Sequence, residues 1–427
     1  MDKPAHPFAF RDFRAYFVTR LATTLAQMAM VIVIGWQVYD VARTDLGMSV
    51  ERAAFQLGLI GLAQFLPLLV LTPFVGWFAD RIDRRWIARA AVALELGCAS
   101  VLFGATWVDG ITLPLLFTVA ALLGVARAFA GPALGALAPN LVPAATLPAA
   151  IALSSISWQV GSVFGPAIGG ILYDRHAALS YGVSSALFAT AFAALMLIRP
   201  VPRTEMAGGA HPFHQMAEGM QYVWRNKIVL GAISLDLFAV LLGGVNAVLP
   251  IYARDILQVG PEGLGQLRAA PAVGAVLMGL WFAWRPLRNH IGWKLLIGVA
   301  IFGGATAMFG ASRSLPLSIT MLVILGAADM LSVYVRQSLI QLHTPDAMRG
   351  RVGAVATLFI SGSNELGEAR AGFLSSVLGA TAAVVVGGIG AILVAGLWAR
   401  WFPALRDARS FALPALDEDV SLKEKAT

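Results

Sequence analysis

The sequence predicts an all-α integral membrane protein with twelve transmembrane helices in two pseudo-symmetric halves of six. The prediction rests on composition, on the number of long apolar segments and on an internal repeat. Hydrophobic residues make up 58% of the 427 residues, charged residues make up 13%, and the mean hydropathy is +0.75. Soluble proteins carry about 25% charged residues. Because so few charges cannot cover a water-facing surface, most of the surface must face lipid.

The apolar segments are long enough to be counted as helices. A transmembrane helix needs about 20 mostly apolar residues. The run 128–173 is divided in two by Pro139, Pro143 and Pro148, since proline ends or kinks a helix. Uniformly apolar runs of this length exclude barrel strands, in which apolar and polar residues alternate. We predict helices over approximately 14–41, 53–79, 85–107, 112–138, 146–173, 178–199, 228–253, 263–284, 292–312, 315–342, 350–378 and 380–401.

The segment 200–227 is the longest connection between predicted helices, and it divides them six and six. We therefore predict an N-terminal six-helix half at 1–199, a cytoplasmic central loop at 200–227, a C-terminal six-helix half at 228–402 and a cytoplasmic tail at 403–427. Within the central loop, Phe213–Trp224 has the pattern of a short amphipathic helix that lies on the inner leaflet.

Lysine and arginine set the predicted orientation. With both termini in the cytoplasm, most basic residues fall on the cytoplasmic side, which also accounts for the net charge of +7 without a nucleic-acid partner. The positive-inside rule thus predicts a multi-pass protein of the bacterial cytoplasmic (inner) membrane with both termini cytoplasmic. The basic residues assigned to the opposite side are Arg43, Arg52, Arg175, Arg254, Arg268 and Arg313.

An internal repeat supports two halves of the same kind. A shift of 202 residues aligns local pairs from the two halves, which are Leu123-Gly124 with Leu325-Gly326, Pro143 with Pro345, Gly165 with Gly367 and Gly170 with Gly372. The alternative is chance alignment in a chain with 43 glycines. Transporters built from parallel repeats bind solute near the midplane between the halves and alternate access by rocking.

The connection between predicted helices 2 and 3 carries an acid followed by clustered arginines, in the run 76–85 (GWFADRIDRR). This run resembles the G-x-x-x-D-R-x-G-R-R signature of the major facilitator superfamily, with Asp83 in place of the second glycine. The resemblance implies a conformational latch of the outward-facing state. The implied latch residues are Gly76, Asp80, Arg81, Arg84 and Arg85. The alternative is a basic loop that only fixes topology.

Predicted helix 5 carries a run of small residues that is similar to the G-x-x-x-G-P-x-x-G-G motif of proton-driven exporters in that superfamily. Glycines at such spacing let helices approach closely, and Pro166 adds a bend. The resemblance implies export rather than uptake, and generic packing is the alternative. The motif residues are Gly161, Gly165, Pro166, Gly169 and Gly170.

Predicted helix 4 places Arg127 within the membrane. The surrounding stretch is similar to the exporter motif l-x-x-x-R-x-x-q-G, except that Ala130 stands where the motif has glutamine. The resemblance implies a role in proton coupling. A charge in the membrane is costly and indicates function. The repeat places Asp329 opposite Arg127, which predicts a pair across the cavity, and Arg336 is an equally good partner for Asp329.

Other ionisable residues lie inside predicted spans. A carboxyl group in a low-dielectric cavity can take and release a proton, which proton antiport requires. Asp236 and Asp329 lead as proton carriers because their helices line the cavity in the superfamily, and Glu365 and Glu368 are expected to pair with Arg370 or the latch loop. The full set of proton-coupling or cavity charges is Arg20, Glu95, Arg127, Asp236, Asp329, Arg336, Glu365 and Glu368.

Two stretches, 13–20 and 344–352, resemble the drug/proton antiporter branch that includes the enterobactin exporter and macrolide efflux proteins. The resemblance implies proton-coupled export of small amphipathic molecules, drug-like or siderophore-like, by a monomer in the lipid bilayer. An uptake carrier or uniporter is one alternative, and a membrane-embedded enzyme or sensor is another. We predict no enzymatic activity, no cofactor and no metal, because the chain lacks a P-loop and clustered metal ligands.

Overall fold

A computed structural model describes residues 6–137, 140–143, 146–200, 212–285, 287, 289–345 and 348–408. Within its helices, the side chains of 72–81, 136, 148, 152, 212–215, 283 and 350 lie outside the described part. The predicted tail beyond residue 408 and residues 201–211 of the predicted central loop also lie outside it.

The described chain is helical at each of the twelve predicted positions. The long helices are α1 (Arg11–Asp40), α2 (Val50–Arg81), α3 (Arg84–Trp107), α4 (Leu113–Leu137), α5 (Leu147–Arg175), α6 (Ala177–Met196), α7 (Lys227–Gly243), α8 (Gly260–Trp284), α9 (Ile291–Ala311), α10 (Leu315–Leu342), α11 (Arg349–Leu378) and α12 (Ala380–Trp401). Shorter helical turns are Pro7–Ala9, Val41–Asp45, Asn246–Val248, Leu249–Ile251, Tyr252–Ile256 and Pro403–Arg406.

Ten helices in the described residues are long and apolar enough to cross a membrane, and α8 and α11 are not among them. Three charged residues, Glu365, Glu368 and Arg370, lie in the middle of α11. The all-helical membrane class is therefore confirmed, whereas the count of twelve spans stays a prediction.

Predicted helix 7 is not one continuous helix. It ends at Gly243, and after Gly244 and Val245 the chain continues in three short turns that finish at Ile256. Gly244 packs against Gly367 of α11, where a Cβ would lie 3.4 Å from the Gly367 carbonyl carbon. Two adjacent glycines favour a break, and Pro250 has no N–H to continue the hydrogen-bond ladder. Broken backbone in a membrane protein is tolerated where it lines a cavity.

The predicted central helix is present as Pro212–Arg225, which we call the linker helix. Its apolar face packs against the protein and not only against the leaflet, because Val223 is buried with Val352 and Val355 of α11. Tyr222 donates a hydrogen bond to the His343 carbonyl oxygen at the end of α10. The linker helix is therefore attached to the second half of the chain.

Each half forms its own set of helix contacts. In the first half, α1 packs on α5 and α6, α3 packs on α4 and α6, and α2 packs on α4. In the second half, α9 packs on α10 and α12, α8 packs on α10, and α7 packs on α11 and α12. The halves meet mainly through α2 with α11 and α5 with α8.

Backbone-to-backbone contacts close one side of this interface, which we call the closed face and which contains residues 40–58, 166–175, 250–265 and 369–378. A Cβ on Gly58 would lie 3.0 Å from the Ala369 carbonyl oxygen, and a Cβ on Gly265 would lie 2.7 Å from the Pro166 carbonyl oxygen. Only residues without a side chain allow helices to approach so closely.

We expect Gly372→Ala to destabilise the protein, because its Cβ would overlap the Gly58 backbone. Gly304→Ala is the matched control, since no atom lies within 4 Å of its Cβ position and alanine is favoured over glycine inside a helix by about 1 kcal/mol. Thermal unfolding in detergent, followed by tryptophan fluorescence, compares the two. An unfolding temperature for Gly372→Ala at or above that of Gly304→Ala would contradict the close approach.

Candidate functional site

A central cavity of about 270 Å³ lies between the two halves. The wall from α1 and α2 is mostly apolar, and the facing wall from α8, α11 and the short turns after α7 is mostly polar. The apolar residues are Met28, Val31, Ile32, Leu57, Ile60 and Leu68, and the polar residues of the facing wall are Asn246, Arg268, Ser361, Asn364, Glu365 and Glu368. A side cavity of about 290 Å³ adjoins it between α5, α8 and α10, and shares Trp158, Asn246, Asn364 and Glu368.

Arg127 of α4 bridges the halves inside the central cavity. Its guanidinium lies 3.5 Å from Glu365 of α11 and donates a 3.4 Å hydrogen bond to Gln64 of α2. The Arg127 side chain is 38% exposed and that of Glu365 is 12% exposed, so water can reach the arginine from the cavity. The predicted Arg127–Asp329 pair is wrong, because α11 and not α10 presents the carboxylate to Arg127.

A second ion pair lies in the same cavity, between Arg268 of α8 and Glu368 of α11 at 3.8 Å. Sequence reasoning missed Arg268 as a cavity residue and counted it among the basic residues outside the membrane. Arg268 lies eight residues after the start of α8, and this position could have indicated that it lies within the membrane. Glu365 and Glu368 were expected to pair with Arg370 or the latch loop. The pairing with Arg370 is wrong, since Arg370 instead donates to the Leu242 carbonyl oxygen of α7, and the side chains of latch residues 76–81 lie outside the described part.

Asp236 of α7 and Arg336 of α10 form a buried ion pair, with side chains 6% and 3% exposed. Neither residue lines the central or the side cavity. The prediction of Asp236 as a cavity carboxylate stays a prediction, whereas the pairing of Arg336 with Asp329 is wrong because Arg336 pairs with Asp236. Seven residues separate Asp329 from Arg336, a rise of about 10 Å along a helix, which keeps the two side chains apart.

Glu95 of α3 is fully buried inside the first half. Gln27 of α1 donates a 2.6 Å hydrogen bond to its Oε1, and its Oε2 has no partner among the described residues. Arg20 is half-buried in α1, and its Nε atom has no partner in the described structure. Both residues lie outside the residues that line the two cavities.

The residues of the predicted latch are only partly described, because the side chains of Gly76, Asp80 and Arg81 lie outside the described part. Asp83, which replaces a glycine of the family signature, caps α3 by accepting a hydrogen bond from the Arg85 backbone N–H at 2.9 Å. Arg85 also pairs with Asp83 at 2.6 Å and donates to the Ile198 carbonyl oxygen. Arg84 is half-buried. The described part of the loop thus ties α3 to the end of α6.

The helix-5 motif forms two packing faces. A Cβ on Gly165 would lie 2.8 Å from the Leu25 carbonyl oxygen, and one on Gly169 would lie 3.0 Å from Ala29 Cα, so these glycines face α1. Gly161 likewise faces Thr24. Gly170 faces Gly265 of α8, next to Pro166. The motif therefore packs the first half together and also closes the contact with the second half.

On the closed face, ion pairs join the end of α1 and the turn that follows it to the turn Tyr252–Ile256. Arg254 pairs with Asp40 and donates a 2.7 Å hydrogen bond to Thr44. Arg43 lies 4.0 Å from Asp255, which accepts a hydrogen bond from the Tyr39 hydroxyl. The two arginines occupy matching π-helical turns, Val41–Asp45 and Tyr252–Ile256.

We call this group of closed-face side chains the closed-face lock. Sequence reasoning assigned both arginines only to topology. The dipeptide Ala-Arg occurs in both matching turns, at 42–43 and 253–254, and this repetition could have indicated the lock from the sequence. The lock crosses between the halves, so it holds the closed face together.

A family model described as "Transmembrane secretion effector" matches residues 6–421. The chain is 25% identical over 394 residues to the enterobactin exporter EntS of Escherichia coli O127:H6, an alignment that covers 90% of this chain and 89% of that protein. The enterobactin exporter of Shigella boydii is 25% identical over 392 residues, with the same coverage.

Solved transporter structures have a similar fold. The nucleoside transporter NupG gives a TM-score of 0.73 at 10% identity and covers 92% of this chain and 100% of that chain. A bacterial homologue of the human lysosomal transporter Spinster, inward-facing and unoccupied, gives 0.71 at 15% identity and covers 92% of this chain and 98% of that chain. At such identities the likeness shows the fold alone.

We expect Asp236→Asn to lower the free energy of unfolding by about 3–5 kcal/mol, because it leaves Arg336 buried without a counter-ion. The apolar double variant Asp236→Leu/Arg336→Met should recover most of that loss. Chemical denaturation in detergent micelles measures both. If Asp236→Asn keeps wild-type stability while losing proton movement, the pair is a coupling site and not a structural one.

We expect Arg254→Asp to open the closed face, because position 254 would then carry the same negative charge as Asp40. The double variant Asp40→Arg/Arg254→Asp reverses both charges, restores the attraction and should close the face again. Because both groups are partly exposed, the pair contributes about 1 kcal/mol, or roughly a fivefold change in population. Spin labels at Asp45→Cys and Glu262→Cys, in a Cys98→Ser background, report the distance between the halves. Equal distance distributions in wild type and Arg254→Asp would rule out a role for the lock.

Proposed function

The chain belongs to the transmembrane secretion effectors of the major facilitator superfamily and is a secondary transporter, and we propose that it exports small amphipathic molecules, drug-like or siderophore-like, in exchange for protons. One observation carries the proposal, which is the contact of Arg127 with Glu365 across the central cavity. A relative of 25% identity is an exporter of enterobactin, which supports export. Because the relatives and structural neighbours are transporters, the chain is not an enzyme.

The closed face supports an assignment of the conformation. The positive-inside rule places residues 40–58 and 250–265 on the non-cytoplasmic side of the bacterial inner membrane, with both termini in the cytoplasm. The closed face is then the outer one, and the cavity is accessible from the cytoplasm. A structural neighbour captured inward-facing has the same fold. In this state the transporter, as a monomer, takes its solute from the cytoplasm or the inner leaflet.

Arg127 and Glu365 can couple a proton to this movement. While Glu365 is ionised, its attraction to Arg127 links α4 to α11 across the cavity, and separating the pair takes the mostly buried carboxylate away from its positively charged partner. A proton on Glu365 removes one of those charges and releases Arg127 to water or solute. When Glu365 returns the proton to the other side of the membrane, the pair can form again. Exchange of protons for solute follows if solute binding requires the ionised state.

Glu368 with Arg268 is a second carboxylate–arginine pair in the same wall. Both Glu365 and Glu368 are on α11 at a separation of three residues, so they share one helix face. A change of charge at Glu365 therefore changes the electrostatic potential at Glu368 and at Arg268 of α8. Protonation of one carboxylate can therefore change the contacts among three helices, α4, α8 and α11.

We expect Glu365→Gln to abolish solute-dependent proton flux, with a loss of at least about tenfold, since glutamine keeps the shape but cannot ionise. The protein is reconstituted in proteoliposomes with a pH-sensitive dye inside, and a panel of lipophilic dyes, macrolides and catechol siderophores is added. Glu262→Gln, an exposed acid outside the cavity, is the matched control and should keep wild-type flux.

Other outcomes of this measurement would identify a different transport mode or a different proton carrier. Solute movement without proton movement identifies a uniporter and removes the coupling role of Glu365. Solute that accumulates in the direction opposite to export, in vesicles of known orientation, identifies an uptake carrier. Proton flux that persists in Glu365→Gln shows that another carboxylate carries the proton.

A further inference from the structure

A groove on the outer surface of the second half is separate from the two cavities. Its volume is about 560 Å³, and it lies where α9 begins and α12 ends. Its lining residues are Trp293, Gly396, Ala399, Arg400, Trp401 and Arg406. It shares none of the charged residues that line the two cavities, which are Arg127, Arg268, Asp329, Glu365 and Glu368.

The turn Pro403–Arg406 folds back onto α9 and brings a second arginine to this groove. The Gly292 backbone N–H donates a 3.1 Å hydrogen bond to the Ala408 carbonyl oxygen, which holds the segment after α12 against the start of α9. Arg406 donates a 3.4 Å hydrogen bond to the carbonyl oxygen of Ala399, the residue before Arg400. Two guanidinium groups from different elements therefore line one groove.

The groove carries more positive charge than the described residues neutralise. Asp407 pairs with Arg406 at 2.7 Å. Arg400 is exposed, and its side chain makes no ion pair with any residue that the structure describes. Arg400, Arg406 and Asp407 together thus leave one net positive charge. Since guanidinium groups bind phosphate oxygens through paired N–H donors, the groove suits a phosphate with a net negative charge.

The remainder of the groove is apolar and suits a hydrocarbon chain. A Cβ on Gly396 would meet no atom within 4 Å, so the surface is open at that residue. Ile297 of α9 and Leu393 and Leu397 of α12 are exposed and extend the apolar surface away from the arginines. The two tryptophans of the lining, Trp293 and Trp401, are 47% and 61% exposed at the charged end. Tryptophan is enriched where a bilayer meets water, so the arginines lie at the depth of lipid head groups.

We propose that this groove binds an anionic phospholipid, whose phosphate lies between Arg400 and Arg406 and whose acyl chain lies over Gly396 between α9 and α12. With both termini in the cytoplasm, this end of the protein faces the inner leaflet, whose anionic lipids attract basic residues. A phospholipid with a net negative charge neutralises the groove. A zwitterionic phospholipid instead brings its own ammonium group close to the two arginines.

A lipid bound here stabilises one end of the second half. The turn Pro403–Arg406 contacts α7, α9 and α12. A Cβ on Gly231 of α7 would lie 2.9 Å from the Phe402 ring, and Leu405 is fully buried beside it. A phosphate that bridges Arg400 and Arg406 therefore links α12 to the turn and, through the turn, to α7 and α9.

Native mass spectrometry of the purified, delipidated protein counts the bound lipids and tests the site. The probes are dioleoylphosphatidylglycerol, which is anionic, and dioleoylphosphatidylcholine, which is zwitterionic. We expect wild type to bind its first phosphatidylglycerol more tightly than its first phosphatidylcholine. Arg400→Gln/Arg406→Gln should weaken the binding of phosphatidylglycerol roughly fivefold for each arginine removed, and so about twenty-five-fold in the double variant. Arg175→Gln/Arg313→Gln removes two exposed arginines outside the groove and is the matched control.

A second pair of variants tests the place of the acyl chain. Gly396→Leu fills the apolar part of the groove and should weaken the binding of phosphatidylglycerol while both arginines remain. Gly304→Leu is its matched control, because a Cβ at that position also meets no atom within 4 Å and Gly304 does not line the groove. Glycerophosphoglycerol, the head group without acyl chains, should not displace the lipid at millimolar concentration.

Several results would overturn the lipid site. Equal affinities of wild type and Arg400→Gln for phosphatidylglycerol would do so, and this single variant breaks no ion pair among the described residues. Displacement of the lipid by glycerophosphoglycerol would identify a site for free anions. Binding of phosphatidylglycerol that appears only in Asp417→Asn/Glu418→Gln/Asp419→Asn would assign the groove to the acidic tail of the chain itself. The measurement involves no solute and no proton, so its failure leaves the proposed export function standing.

Discussion

A charged side chain inside a bilayer must find a counter-ion or water, and the architecture of this protein follows from where those partners lie. Arg127 and Glu365 come from different halves of the chain, so their contact links α4 to α11 across the central cavity. The cavity lies around this contact, and Arg268 with Glu368 extends it to α8. By contrast, Asp236 and Arg336 satisfy each other inside one half, and they line neither the central nor the side cavity.

The closed face combines two kinds of contact with different physical consequences. Gly58 with Gly372 and Gly170 with Gly265 allow backbones to touch, and such contacts depend steeply on distance because they are van der Waals packing. The closed-face lock, formed around Arg43 and Arg254, acts over a longer range and is partly exposed. Packing therefore fixes the geometry of the closed state. The lock adds a stabilising free energy that depends on the charge of its residues and on their exposure to water.

The errors in the predicted pairings share one cause. The 202-residue shift relates α4 to α10, and symmetry-related residues were expected to face each other. A two-fold axis would require only that Arg127 and Asp329 occupy equivalent places in their own halves, not that they touch. The partner of Arg127 instead comes from α11, whose position against α2 is set by Gly58 and Gly372. The matching turns that carry Arg43 and Arg254 lie 211 residues apart, so the 202-residue shift did not relate them.

The sequence by itself determined the all-helical membrane class and the approximate positions of the long helices, while the division into two halves at the linker stays a prediction. These features depend on local hydrophobicity, on proline and glycine, and on the length that a bilayer imposes. Only the tertiary structure decided which ionisable residues line a cavity and which pair elsewhere, as Asp329 and Asp236 show. A charge has no preferred partner until helix packing brings one within a few ångströms, and that packing depends on contacts between residues far apart in the chain.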